Sequence, residues 1–445
     1  MHINDTESDS MRKIGWSILC IALLVLLPSI SVIHSTESSV EDLLRDAHIE
    51  NINGIRFLFT NGSFHELGFQ HGYLLKEEVQ ENVRAFISYG KEIASYEKLL
   101  EMWNTVKAYI PDDYLSELQG IADGANVSLE ELGVSYMIVP FIDLGCFSYA
   151  AWGDATEDGK LYHVRSLDFP LIIKDPVTGK YAQENSVLIV RRVEGGMISI
   201  IPTLAGWINF YEGFNEKGIV ITIQACWSSD QTLKGIPIQF RLQMALDGTD
   251  TIDDAIHVML SNSTLGWNFI ISDGKTAYIV EVTANHSYIG SWDDPVEDNA
   301  PFWKIKEVVR RTNFFIDPEL AATQRKWYNP RGVMGFLTTL VGSPFFPIWR
   351  KYKAMSREIE NIWGEIDLNS SISILRKVYG GKTDIVLFIF QMISRGRGIL
   401  CDLHQWSYCP DTGDFAISFA DSKKRSHKNE LHYINIKELL DQFAS

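Results

Sequence analysis

The sequence predicts a layered α+β fold, with helices outside stacked sheets. Three observations carry that expectation. Apolar spacing is helical from Phe64 to Ile110 and takes the period of strands after Cys146. The later strands come largely in hairpins whose turn chemistry is visible in the sequence. Helical stretches are grouped between the hairpins, as expected for layers that cover a sheet.

In chain order, residues 36–50 form a polar spacer, and Ile55–Thr60 a short strand. Val79, Val83, Phe86 and Ile87 line one helical face within Phe64–Ile110. Helices follow over Asp112–Asp123 and Leu129–Phe141; Ser128 caps the latter, with Glu131 three residues on. After Cys146, strands Cys146–Ala155 and Lys160–Phe169 turn at Glu157-Asp158-Gly159. Further strands fit Ser186–Val193, Met197–Pro202 and Gly218–Trp227, and helices fit Pro237–Leu246 and Thr251–Leu260. Trp267–Ile271 and Ala277–Thr283 turn at Asp273-Gly274. Helices near 348–363 and 370–379 precede a last hairpin, Leu400–Tyr408 with Asp414–Ala420. The chain has no internal repeat and no low-complexity linker.

At 445 residues and 46% hydrophobic, the chain can bury the core of one large domain or two. A net charge of −17 argues against nucleic acid as a partner. The one basic cluster, Lys423-Lys424-Arg425 with Lys428, reads as a solvated loop. Ile14–Ile33 is apolar and follows Arg12 and Lys13, so residues 1–35 are a secretory signal or a retained membrane anchor. Ser29 and Ser31 fit a cleavage site, whereas the apolar core is long for a signal. Either way the main domain is expected outside the cytoplasm, secreted or membrane-anchored. Sequons at Asn61, Asn126, Asn262, Asn285 and Asn369 agree with a glycosylated exoplasmic domain. Cys146, Cys226, Cys401 and Cys409 are too few for a disulfide scaffold. Cys401 and Cys409 lie too far apart to pair on one extended strand. No zinc-binding spacing is present, and no metal or other cofactor is expected. Gly380-Gly381-Lys382-Thr383 imitates the end of a phosphate loop, but Arg376 takes the place of its first glycine.

The chemistry centres on Gly145-Cys146-Phe147-Ser148 and, nineteen residues after Cys146, Arg165-Ser166-Leu167-Asp168. Gly213-Phe214-Asn215-Glu216-Lys217-Gly218 and Asp298-Asn299-Ala300-Pro301 follow. In this order the segments resemble the penicillin acyltransferase-type family of autoprocessing cysteine hydrolases, and more distantly choloylglycine hydrolases and acid ceramidase. The resemblance runs from about residue 50 to about residue 420. It implies a four-layer αββα sandwich of N-terminal-nucleophile hydrolases. Cleavage between Gly145 and Cys146 would give a helical small chain, 36–145, associated with a catalytic large chain, 146–445.

The resemblance makes Cys146 the nucleophile and its own freed α-amine the base, since such an amine titrates near pH 8. Arg165 would lie beside the sulfur, and Asp168 would hold the amine. Strand spacing puts those two on opposite faces unless Ser166-Leu167 bends. Asn299 matches the family's oxyanion donor, and the second oxyanion position falls at Gln224 or Ala225. Asn215 reads first as a tight-turn residue and second as an oxyanion or substrate residue. Arg350 is a candidate for the family's later arginine. His163 and His404 read as satisfied sheet histidines. The substrate would be a small N-acylated amine or a peptide, cleaved through an acyl-thioester by hydrolysis or acyl transfer. The apolar runs Gly332–Pro347 and Ile385–Ile393 are core or, alternatively, a lipid-facing acyl-binding region. The competing expectation is a membrane-tethered, non-catalytic binding protein on the same scaffold.

Overall fold

The computed structural model describes residues 39–138, 145–324, 330, 347–379 and 400–444. The expectations for residues 1–35, for the apolar stretch 332–346 and for Ile385–Ile393 fall outside them. Among the described residues no helix is long and apolar enough to cross a membrane.

Two sheets dominate. The larger runs in the order β1 (His48–Ile52), β2 (Ile55–Gly62), β5 (Ser186–Val193), β6 (Ile198–Leu204), β7 (Glu212–Asn215), β8 (Val220–Ala225), β9 (Trp267–Ser272), β10 (Ala277–Val282) and β11 (Ser287–Gly290). Only β2 and β5 pair in parallel there; the other pairs are antiparallel. The smaller sheet is antiparallel, in the order β12 (Val308–Arg311), β3 (Phe147–Gly153), β4 (Gly159–Pro170), β13 (Leu400–Tyr408), β14 (Asp414–Phe419) and β15 (His432–Asn435). The sheets meet face to face. Phe214 of the larger stacks on Tyr408 of the smaller at 4.1 Å between ring centres. Thr222 donates to Ser148 Oγ at 3.0 Å across the same gap.

Helices cover both outer faces. Helices α1 (Phe64–Leu74), α2 (Lys76–Lys91), α3 (Tyr96–Lys107), α4 (Asp112–Ala125) and α5 (Leu129–Tyr136) come first, followed by α6 (Ile238–Gly248) and α7 (Ile252–Leu260). All seven contribute to a core shared with the larger sheet. Short α8 (Pro318–Thr323) follows; α9 (Pro347–Asn361) and α10 (Leu368–Tyr379) pack Met355, Ile359 and Leu375 onto Phe147, Tyr149 and Val164 of the smaller. C-terminal α11 (Ile436–Ala444) buries Ile436 and Leu439 against Phe57 and Phe415. The result is helix, sheet, sheet, helix, the layering expected from the sequence.

Phe64–Ile110 is three helices, not one, broken first at Leu75. The Ser128–Glu131 capping box forms as read from sequence, and a second one, Ser63 with Glu66, starts α1. Glycines let α1 and α4 touch backbone to backbone. A Cβ on Gly68 would lie 2.0 Å from the Glu117 carbonyl oxygen, and one on Gly120 2.2 Å from that of His65. Helix α5 ends at Tyr136, and residues 139–141 of the expected longer helix lie outside the described residues. Of the five sequons, Asn126, Asn262, Asn285 and Asn369 are exposed and Asn61 is half-buried.

Candidate active site

Cys146 immediately precedes β3, and the pairing of Phe147 with Ser166 sets it beside the end of β4. It is 1% exposed, and its Sγ lies 4.0 Å from the carbonyl oxygen of Asp168. Arg165 and Asp168 do point to opposite faces of β4, as alternation requires. Arg165 turns between the sheets, where its Nε donates to Glu212 Oε2 at 2.6 Å. Asp168 turns outward to α9 and α10, where Lys351 Nζ and the Tyr379 hydroxyl both bond its carboxylate. Cys146 lies at the strand end that both faces share, so no bend of Ser166-Leu167 is needed. The Arg165 guanidinium acts on the sulfur electrostatically from one side, and Asp168 from the other.

The electrostatics are those of a closed, paired site. Burial pushes the Cys146 thiol up; Arg165 works against that and Asp168 adds to it. Burial also pushes the Asp168 carboxyl up, with Lys351 and Tyr379 opposing. Glu212 is held below the usual carboxylate range. Burial would raise it, but His404 and then Arg165 outweigh burial. Glu212 accepts from His404 Nε2 and Trp406 Nε1 as well as from Arg165. Arg165 Nη1 and Nη2 are buried and have no hydrogen-bond partner of acceptable geometry among the described residues. The Cys146 sulfur is a neighbour on which the Arg165 charge acts.

Lys351 is 4% exposed. Besides Asp168 it bonds the carbonyl oxygen of Gly145 at 3.1 Å. Its Nζ lies 5.5 Å from the Phe147 ring centre and 5.1 Å from that of Tyr379. Sequence reasoning named Arg350, which is half-buried on the same helix but makes no bond to this cluster among the described residues. Adjacent helical residues point about 100° apart, so only one of the two can face the sheet. The available signal was that Lys351, not Arg350, shares the helical stripe of Tyr352, Met355 and Ile359. Glu212 and Tyr379 were also missed; Glu212 stood out only as an acidic residue between Tyr211 and Gly213. His404 is satisfied, as expected, but by a carboxylate of the site. His163 lies between Ser272 and Thr222 hydroxyls, at 2.8 and 2.9 Å.

The other expected residues separate. Gln224 is buried between the sheets and donates to Ser148 Oγ, two residues beyond Cys146. Asn215 is a turn residue: its side chain binds Leu246 and Thr249 carbonyls and accepts from the Lys217 and Ile219 amides. Asn299 is exposed at the end of the 3-10 turn Pro295–Asp298, and among the described residues it makes no bond to Cys146. All four cysteines described are buried and free. A small apolar recess of about 50 Å³ is lined by Val106, Tyr136, Met137, Tyr211, Leu265 and Trp267, among others. Burial pushes the Tyr211 hydroxyl up, and Tyr136 and then Cys146 add to that.

Residues 179–330 match the family model described as "Acyl-coenzyme A:6-aminopenicillanic acid acyl-transferase". Protein dcd1B of Dictyostelium discoideum is 25% identical over 285 residues, 57% of this chain and 55% of its own. An uncharacterized protein of Archaeoglobus fulgidus is 23% identical over 320 residues, 61% of this chain and 52% of its own. The chain thus spans about half the length of these curated relatives. Among solved structures, a Caenorhabditis elegans ortholog of N-acylethanolamine-hydrolyzing acid amidase aligns at TM-score 0.37 and 13% identity, over 60% of this chain and 93% of that one. Penicillin V acylase from Agrobacterium tumefaciens aligns at 0.38 and 15%, over 66% and 87%. The match over 179–330 begins downstream of Cys146, Arg165 and Asp168 and includes Asn215, Gln224 and Asn299. Over that segment the chain is similar to the penicillin acyltransferase-type family that its motifs resemble.

Proposed function

We propose that this protein is an autoprocessed cysteine amide hydrolase or acyltransferase. The observation that carries the reading is the setting of Cys146. It is a buried thiol at the head of a central strand, directly after a glycine carbonyl held by a lysine, with a partly unsatisfied arginine whose charge acts on its sulfur. Once the Gly145–Cys146 bond is cut, the α-amine of Cys146 takes the thiol proton, and the thiolate attacks the substrate carbonyl carbon. The amine leaves with a proton, and water or an acceptor amine releases the acyl group from sulfur. Arg165 favours the thiolate, and Asp168 anchors the new amine.

The products 36–145 and 146–445 are expected to remain associated. Arg84 binds Asp175 through two nitrogens, at 2.9 and 2.7 Å. Glu117 and Asp247 both hold Arg191, and one apolar core spans the cut. The recess beside Tyr211 draws on both products and supports an apolar acyl group on an amine or peptide. Placement outside the cytoplasm, through residues 1–35, belongs to the same proposal.

The test is a panel of N-acyl amides graded from acetyl to palmitoyl, with thioester trapping on Cys146. Turnover of several apolar acyl lengths is expected, because one methylene discriminates by only about 1–3 kcal/mol. Strict preference for acetyl or for a charged acyl group would overturn the substrate reading. Full activity in Cys146→Ala would overturn the nucleophile.

A further inference from the structure

We propose that Lys351 is a catalytic residue of the self-cleavage step, the donor that stabilises the oxyanion formed at Gly145. The inference rests on reading Gly145–Cys146 as the bond that is cut. In the uncut chain Lys351 Nζ already donates to the Gly145 carbonyl oxygen, at 3.1 Å. Asp168 fixes the same nitrogen, and the rings of Phe147 and Tyr379 flank it. Burying a charged amine among apolar groups is costly unless it is paired, and an apolar residue would fill the place at less cost. Asp168 alone would satisfy the pairing. The second bond goes to the one backbone carbonyl whose carbon the thiol must attack.

The step balances as follows. Cys146 Sγ, losing its proton, bonds to the Gly145 carbonyl carbon in a five-membered ring, and the C=O π pair moves onto oxygen. Lys351 donates to that oxygen in a site closed to water, where such a donor is most effective. Collapse breaks the C–N bond, and the Cys146 nitrogen leaves with the proton given up by the thiol. Gly145 is then a thioester on Sγ. Water hydrolyses it to the Gly145 carboxyl and a free Cys146 thiol.

The experiment follows cleavage of the full chain by intact mass over time, in wild type and in Lys351→Met, Lys351→Gln and Lys351→Arg. Lys351→Met should cut about 10²–10³-fold more slowly, as for loss of one oxyanion donor. Lys351→Gln should fall between, and Lys351→Arg should recover most of the rate. Melting points measured in the uncut Cys146→Ala background separate fold from chemistry. If Lys351→Met melts early there, the ranking Arg above Gln decides the matter, and equal rates for the two overturn the proposal. Hydroxylamine, which cleaves thioesters, should not rescue Lys351→Met, because the thioester never forms; rescue would overturn the assignment. Wild-type cleavage together with unimpaired Lys351→Met sinks this inference alone. A wild-type chain that stays whole sinks both it and the function proposed above.

Discussion

Two buried arginines flank Ser148 in one row of the smaller sheet: Arg311 pairs with it from β12, and Arg165 from β4. Both are fully buried, and both hold glutamates. Arg311 is saturated. Its Nε binds Glu281, its two terminal nitrogens bind Glu297, and Nη1 also reaches the Arg310 carbonyl. Arg165 spends only Nε on Glu212; its Nη1 and Nη2 have no partner among the described residues, and its charge acts on Cys146. Buried polar groups are normally satisfied, so an arginine left incomplete beside a thiol fits the role proposed for it above, while its saturated neighbour fits a structural one.

Removing each arginine in turn separates the two roles. Arg165→Met should lower turnover by about 10³-fold or more, since it withdraws the charge that favours the thiolate. Glu212 keeps His404 and Trp406, so the fold should survive. Arg311→Met should leave turnover in the molecules that fold. It strands two buried carboxylates, however, and should cost about 3–5 kcal/mol of stability. Kinetics and urea unfolding of both variants check this; a large stability loss for Arg165→Met with kcat retained would reverse the two roles.

A second effect is smaller and concerns pH. Burial raises the Cys146 thiol in the uncut chain, so at neutral pH it is mostly protonated and its thiolate increases with pH. Self-cleavage should therefore accelerate by up to about tenfold per pH unit between pH 6 and 8. Turnover by the mature enzyme should follow its α-amine instead and level off near pH 8. Superimposable profiles for the two steps would contradict a change of base on cleavage.

The smallest effect is expected at Asn299. Exposed on its turn, it should tolerate alanine with kcat within about twofold of wild type; a loss of about 10²–10³ would return it to the oxyanion site.

What the sequence made legible was local. Turn residues such as Asp158-Gly159 and Asp273-Gly274 announced their hairpins, and the Ser128–Glu131 box announced α5. Cys146, Arg165 and Asp168 could be grouped from sequence because they lie within one hairpin, where register follows from the turn. Glu212, Lys351 and Tyr379 reach the same site from other strands and helices, and no short-range pattern says that these elements meet. Lys351 was masked further by Arg350, since a run of two basic residues does not say which one faces inward. Asn299 shows the opposite case: its exposure could not be read from its tripeptide.

The most direct test of the central claim is N-terminal sequencing of the purified wild-type chain after denaturing electrophoresis. A large fragment beginning Cys-Phe-Ser-Tyr, absent in Cys146→Ala, is the predicted result. A single uncut chain with full amidase activity would contradict it.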